Sequence, residues 1–143
     1  MLIDANVLLY AVDDTSRFNA SAAAWLEEVL NGPRRVGIAW PTLTAFLRIT
    51  THPRALAEPL SPASAWSHVE DWLACETVWI PGPTERHADV LAGLLTTYDL
   101  RGNLIADADL AALAIEHGLS ICSADTDFAR FREVRWINPI APT

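Results

Sequence analysis

The chain has 143 residues, of which 51% are hydrophobic and 20% charged. That length fits one domain spanning 1–143 and excludes a TIM barrel or a two-domain enzyme, and the apolar content excludes disorder. Eighteen acids against ten bases, all arginine, give a net charge of −8, which argues against holding nucleic acid through a global basic field.

Met1-Leu2-Ile3 is a short apolar run that suits a buried strand ending at Asp4. Asn6 to Val12 begins a short helix. Arg17 to Leu30 is helical, with Ala22, Trp25, Leu26, Val29 and Leu30 on one face and Gly32-Pro33 as its stop. Arg35 to Ala39 is a second strand. Pro41 sits in a first helical turn, where it is tolerated, and Thr42 to Thr50 continue the helix until His52-Pro53. Ser61-Pro62 reads as an N-cap followed by an N1 proline, opening a helix over Ala63 to Leu73. Thr77 to Ile80 is a third strand. Thr84 to Thr97 and Asn103 to His117 are helical, with Gly118 as the C′ residue of the latter. Leu119 to Ser123 is a fourth strand, Asp127 to Phe131 a short turn or helix, and Arg135 to Ile137 a last strand. Strands separated by helices indicate an α/β sandwich with a mainly parallel sheet.

In such sheets, functional groups collect beyond the carboxyl ends of the strands. Asp4 follows the first strand, Asp125 and Asp127 follow the fourth, and Asp107 lies in the first turns of the helix feeding the fourth. Several carboxylates in one cleft repel each other and resist ionisation, a conflict that a hard divalent cation removes. Taken singly, each acid also has an ordinary reading. Asp4 and Asp125 are candidate turn formers or caps, and Asp127 is a candidate first-turn acid. Asp109, two residues after Asp107, faces another side of its helix in a solvated or structural role.

No apolar run reaches the roughly 18 residues that span a bilayer, and the start of the chain lacks a basic leader, so a cytoplasmic protein without membrane contact is expected. Cys75 and Cys122 are too few for a disulfide scaffold or structural zinc site and are expected to be core thiols. The six tryptophans are expected as core or interface anchors. The four histidines show no metal-ligand spacing.

Leu2-Ile3-Asp4-Ala5-Asn6 resembles the hydrophobic-D-x-N opening of PIN-domain nucleases. Asn103 to Ala108 resembles the segment carrying their third acid, and Ser123-Ala124-Asp125-Thr126-Asp127-Phe128 their late S-x-D-x-D-F element. Trp40-Pro41, Arg48, Thr51 to Arg54 and Trp136 to Pro139 resemble one branch of the VapC-type toxins of VapBC toxin–antitoxin modules. The resemblance implies a PIN-like (flavodoxin-like) three-layer α/β/α sandwich. It also implies a Mg2+- or Mn2+-dependent endoribonuclease that cuts structured RNA of the tRNA or rRNA class. Asp4, Asp107 and Asp125 match the family's metal-binding acids, Asp127 an accessory acid, and Asn6 and Ser123 supporting hydrogen-bonding residues. The implied partner is a VapB-type antitoxin, in a homodimer or a heterotetramer or octamer with it. The helices over Arg17–Leu30 and Pro41–Thr50 are the expected docking or dimer surfaces.

One position departs from that pattern. The glutamate that precedes the Phe of a Phe-x-Arg segment falls on Ala45, and no acid lies between Glu28 and Glu58. Three readings follow: a Glu→Ala change made to silence a toxic nuclease, a natural variant working with fewer acids, or a non-catalytic PIN module that binds antitoxin or RNA without cutting. Low activity is expected, with at least about a tenfold gain in cleavage on Ala45→Glu. Arg48 and Arg101 are either solvated or contact phosphate or an antitoxin carboxylate. Arg130, Arg132 and Arg135 read mostly as surface charge, with RNA contact as the alternative.

Overall fold

A computed structural model describes residues 1–140; the last three residues of the expected 1–143 domain lie outside the described residues. Five short parallel strands, β1 (Leu2–Ile3), β2 (Val36–Gly37), β3 (Val78–Trp79), β4 (Ile121–Cys122) and β5 (Trp136–Ile137), form one sheet in the order β3-β2-β1-β4-β5. Leu2 pairs with Gly37 on one side and Ile121 on the other, and Ile3 pairs with Cys122. The chain winds outward from β1 to β3, then returns to place β4 on the other side of β1. The β1/β4 boundary is therefore a topological switch point, where the connections diverge and leave a crevice.

Six helices cover the two faces: α1 (Ala5–Val12), α2 (Asn19–Leu30), α3 (Trp40–Thr50), α4 (Pro62–Ala74), α5 (His87–Thr97) and α6 (Leu104–His117). Successive strand residues point to opposite faces, and the core divides accordingly. Ile3, Val36 and Ile38 pack with Leu8, Leu26, Phe46 and Trp72 of α1 to α4. Leu2 and Ile121 pack with Leu94 of α5 and Ala108, Ala111 and Leu113 of α6. The result is a three-layer α/β/α sandwich. No helix among the described residues is long and apolar enough to cross a membrane.

Local chemistry sets the ends of the helices. Asp4 caps α1 by accepting from Ala5 N–H, and Ser61 caps α4 by accepting from Ser64 N–H. Gly118 ends α6 at φ 65°, a left-handed conformation that costs glycine little. Gly37 permits close approach within the sheet, since a Cβ there would lie 2.8 Å from Pro81 Cγ.

Several expectations shift. α5 begins at His87 rather than Thr84, because Thr84 donates its N–H and hydroxyl to Glu116 on α6 and is pinned there as a turn. α2 begins at Asn19, whose amide side chain donates back to Tyr10 and Ala11 carbonyls of α1. Cys122 is buried, but Cys75 is not a core thiol: it caps the C-terminus of α4, where half-exposure follows from the turn into β3. Trp72 is a core residue, whereas Trp40 and Trp66 are 44% and 41% exposed.

Candidate metal centre

The two strands that flank the switch point each end in a polar residue. β1 runs into Asp4 and β4 into Ser123, and their pairing brings the two side by side despite 119 residues of separation. Ser123 is fully buried, and its hydroxyl donates to Asp4 Oδ2 at 2.8 Å. Ser123 Oγ in turn accepts from Asn6 Nδ2 at 3.0 Å and from the Asp125 N–H at 3.0 Å. Asn6 also donates to Asp4 Oδ2 at 3.2 Å and accepts from the Ala124 N–H at 3.0 Å. Asp4 Oδ1 accepts from the Ala5 N–H at 2.8 Å. Asn6 and Ser123 thus act as the frame that orients Asp4 and ties the β4 loop to the start of α1.

Asp125 caps the 3-10 turn over Thr126–Arg130, accepting from the Asp127 N–H at 2.9 Å. This turn aims Asp127 back toward α6. One carboxylate oxygen each from Asp107, Asp125 and Asp127 lie within 4.8 Å of one another. Of the expected trio of Asp4, Asp107 and Asp125, the last two join Asp127 in one group, and Asp4 lies close enough to repel both Asp107 and Asp125. Asp107, Asp125 and Asp127 converge, while Asp4 lines the adjoining cleft with both oxygens already hydrogen-bonded.

That cleft holds about 100 Å3 and is walled by Asp4, Pro41, Thr42, Ala45, Asp107 and Asp109, among others. Ala45 of α3 faces Asp4 and Asp107 across it, so the position of the expected glutamate belongs to the same cleft. The electrostatics record the crowding. Burial foremost, then repulsion from Asp125, Asp4 and Asp127, pushes Asp107 up to about 6. Burial also raises Asp4, against the opposing hydrogen bonds from Ser123 and Ala5. An all-oxygen donor set in which Asp4 and Asp107 resist ionisation fits a hard divalent cation.

Other residues take places that the sequence did not indicate. Arg130 is not merely surface charge: it holds Asp127 through Nη2 to Oδ1 at 3.2 Å and Nε to the carbonyl at 3.0 Å. Arg101 pairs with Asp99 at 3.2 Å, both strongly exposed. His87 bridges two helices and two acids, with Nδ1 2.6 Å from Glu116 Oε2 and Nε2 2.7 Å from Asp109 Oδ1. Asp109 and Glu116 lie two turns apart on one side of α6, and that i, i+7 pair of acids opposite a helical histidine was the available signal.

The PIN domain family matches residues 1–134. The chain belongs to the PIN domain family. Ribonuclease VapC37 of Mycobacterium tuberculosis is 48% identical over 140 residues, covering 98% of this chain and 97% of the relative. Among solved structures, M. tuberculosis VapC20, a sarcin–ricin-loop-cleaving toxin, aligns with a TM-score of 0.66 at 17% identity over 94% of this PIN domain chain and 98% of that one. A toxin–antitoxin complex from Klebsiella pneumoniae aligns with a TM-score of 0.63 at 20% identity, over 96% of each chain. These two structures share the fold of this PIN domain.

Proposed function

We propose that this PIN domain is a divalent-metal-dependent endoribonuclease, the toxin of a VapBC-type toxin–antitoxin pair. The observation that carries the reading is the convergence of Asp107, Asp125 and Asp127 beside Asp4 at the β1/β4 switch point. The ribonuclease name borne by a relative 48% identical over nearly the whole chain supports the same chemistry. Mg2+ is the proposed ion, with Mn2+ as a substitute of like oxygen preference, and Asp107, Asp125 and Asp127 are its proposed ligands, with Asp4 beside them. When bound, such an ion supplies activated water and charge stabilisation for phosphodiester hydrolysis.

The remaining work falls to the chain itself. Asn6 and Ser123 hold Asp4 in a fixed orientation through the bonds described above. Arg130 restrains Asp127 and partly offsets the local negative charge. Asp107 is partly exposed, so a phosphate can approach it, and the apolar Ala45, Leu110 and Leu113 in the cleft wall strengthen the field of the acids. Structured RNA of the tRNA or ribosomal class is the proposed substrate, which places the protein in the cytoplasm. The proposed partner is a VapB-type antitoxin, and a basic antitoxin segment is suited to the acid cleft.

Ala45 favours a second reading, a PIN-fold module that binds antitoxin or RNA without cleaving it. One experiment separates the two. Total RNA is incubated with the chain and with Asp107→Asn, in Mg2+ or Mn2+ and with chelator. Cleavage that chelator abolishes and that falls at least about 100-fold in Asp107→Asn supports the nuclease. Absence of cleavage by the parent in either ion supports the binding module.

A further inference from the structure

The second cleft on α3 has the opposite charge. It holds about 250 Å3 and is lined by Arg48, Ile49, His52, Arg54 and Ala55, with no carboxylate in its wall. Arg48, His52 and Arg54 are all exposed. Neither guanidinium takes part in an ion pair or hydrogen bond among the described residues, although acids outnumber bases by 18 to 10 in the whole chain. His52 Nδ1 accepts from the Arg54 N–H at 3.1 Å, which assigns the ring proton to Nε2 and makes that atom a donor. The turn that carries His52 and Arg54 is anchored: Ala55 N–H donates to His52 O at 3.2 Å, and Leu60 N–H to Thr50 O at 2.8 Å. The groove is thus a set of donors held on ordered backbone.

Its position relative to the acid cleft follows from helical periodicity. Positions 41, 45, 48 and 52 recur at four- and three-residue steps, so they form one stripe along α3 and the turn that ends it. Pro41 and Ala45 line the acid cleft, and Arg48 and His52 line the basic groove. At about 1.5 Å of rise per residue, Arg48 lies about 4.5 Å beyond Ala45 along the axis. That is a spacing on the scale of a nucleotide. One helix face therefore runs from the wall of the acid cleft into a guanidinium and an imidazole N–H donor.

We propose that the Arg48–His52–Arg54 groove binds the RNA backbone, holding the phosphates that flank the one in the acid cleft. The proposal rests on the ribonuclease reading above. A planar guanidinium pairs with phosphate oxygens in a two-pronged geometry, and two such groups with an imidazole N–H suit successive phosphates. A chain of net charge −8 repels RNA at long range. Affinity must then come from local cations, and this groove lies on α3, which also supplies Pro41, Thr42 and Ala45 to the wall of the acid cleft. Acidic side chains of an antitoxin are the competing occupant. They are disfavoured because the same stripe leads into a cleft walled by Asp4, Asp107 and Asp109, which favours a basic inserted segment.

The test uses the full chain and two probes, unfractionated tRNA and ribosomal RNA, cleaved in Mg2+ or Mn2+ at several salt concentrations. The double variant Arg48→Gln with Arg54→Gln should raise KM at least about tenfold while kcat stays within about twofold. It should also flatten the dependence of log KM on log salt by about 1 to 2, one phosphate contact per arginine. Its melting temperature and Mn2+ affinity should match the parent, since neither side chain bears on the fold or the acids. An unchanged KM and salt slope overturns the groove. So does loss of antitoxin binding with RNA kinetics intact, which assigns the groove to the antitoxin. If the parent cleaves neither RNA, the ribonuclease reading falls and the groove proposal falls with it; if the parent cleaves and the variant behaves identically, only the groove falls.

Discussion

Asp107 is the acid whose charge the fold opposes most. With its carboxyl pushed up to about 6 from the ordinary 3.8, the folded state binds a proton more tightly than the unfolded chain. Stability from this group is therefore fully present below about 3.8 and is lost as pH rises through about 6. At neutral pH the metal-free protein carries the full penalty. Asp107→Asn removes it and should raise metal-free stability at pH 7 by about 1 kcal/mol, a figure reduced for the solvent that reaches this half-exposed group. The gain should vanish near pH 4, and Mn2+ should raise the melting temperature of the parent but not of the variant. Thermal melts with and without Mn2+ check both statements. Ala45 offers the converse test. A glutamate facing Asp4 and Asp107 adds a carboxylate to the same cleft, so Ala45→Glu should tighten Mn2+ binding at least about tenfold by calorimetry. Unchanged affinity would show that position 45 contributes nothing to the ion.

At the scale of elements, α5 and α6 are latched by His87. Burial alone would lower this imidazole, but its hydrogen bonds to Glu116 and then Asp109 outweigh that and raise it above the ordinary 6.5. Burial raises Glu116, and the bonds from Thr84 and His87 more than reverse that to bring it below 4.5. The latch is at full strength with His87 charged and Glu116 ionised. It weakens as pH rises through the folded value of His87, which lies above 6.5, and as pH falls through that of Glu116, which lies below 4.5. Because the Glu116 side chain is fully covered, His87→Ala strands a carboxylate oxygen and should cost about 2–3 kcal/mol. In urea titrations the gap between parent and variant should be widest between about pH 4.5 and 6.5 and narrow on either side. A gap independent of pH would mean that packing, not charge, makes the latch. Since Asp109 also lines the acid cleft, the latch joins the outer helix layer to a wall of the site.

Across the whole molecule, acids outnumber bases by 18 to 10. The net −8 and the acid cleft set a long-range field that draws cationic partners, while the arginine groove on α3 is a local exception. An antitoxin with a basic inserted segment should therefore associate quickly at low salt. Its association rate should fall at least about tenfold between roughly 50 and 500 mM salt, with a smaller change in dissociation. Stopped-flow mixing reads this directly. A rate that rises with salt would mean that the antitoxin meets the protein through the arginines instead.

Much of this was legible in the linear sequence. Strand–helix alternation implied the parallel sandwich, because hydrophobic period and punctuation are local properties. The placement of Asp4, Asp107, Asp125 and Asp127 just beyond strands or in a first helical turn predicted an acidic edge for the same reason. The grouping of those acids was a tertiary outcome. Asp127 joins Asp107 because a 3-10 turn, capped by Asp125 and braced by Arg130, reverses the chain. Asp4 is held beside them because Ser123, 119 residues away, orients its carboxylate. His87 meets Asp109 and Glu116 across 22 and 29 residues, and only the packing of α5 on α6 brings them together. Local sequence determines which way a side chain faces along its own element. Which foreign side chain meets it depends on how the layers close, and the interactions that shift ionisation in this protein are of that second kind.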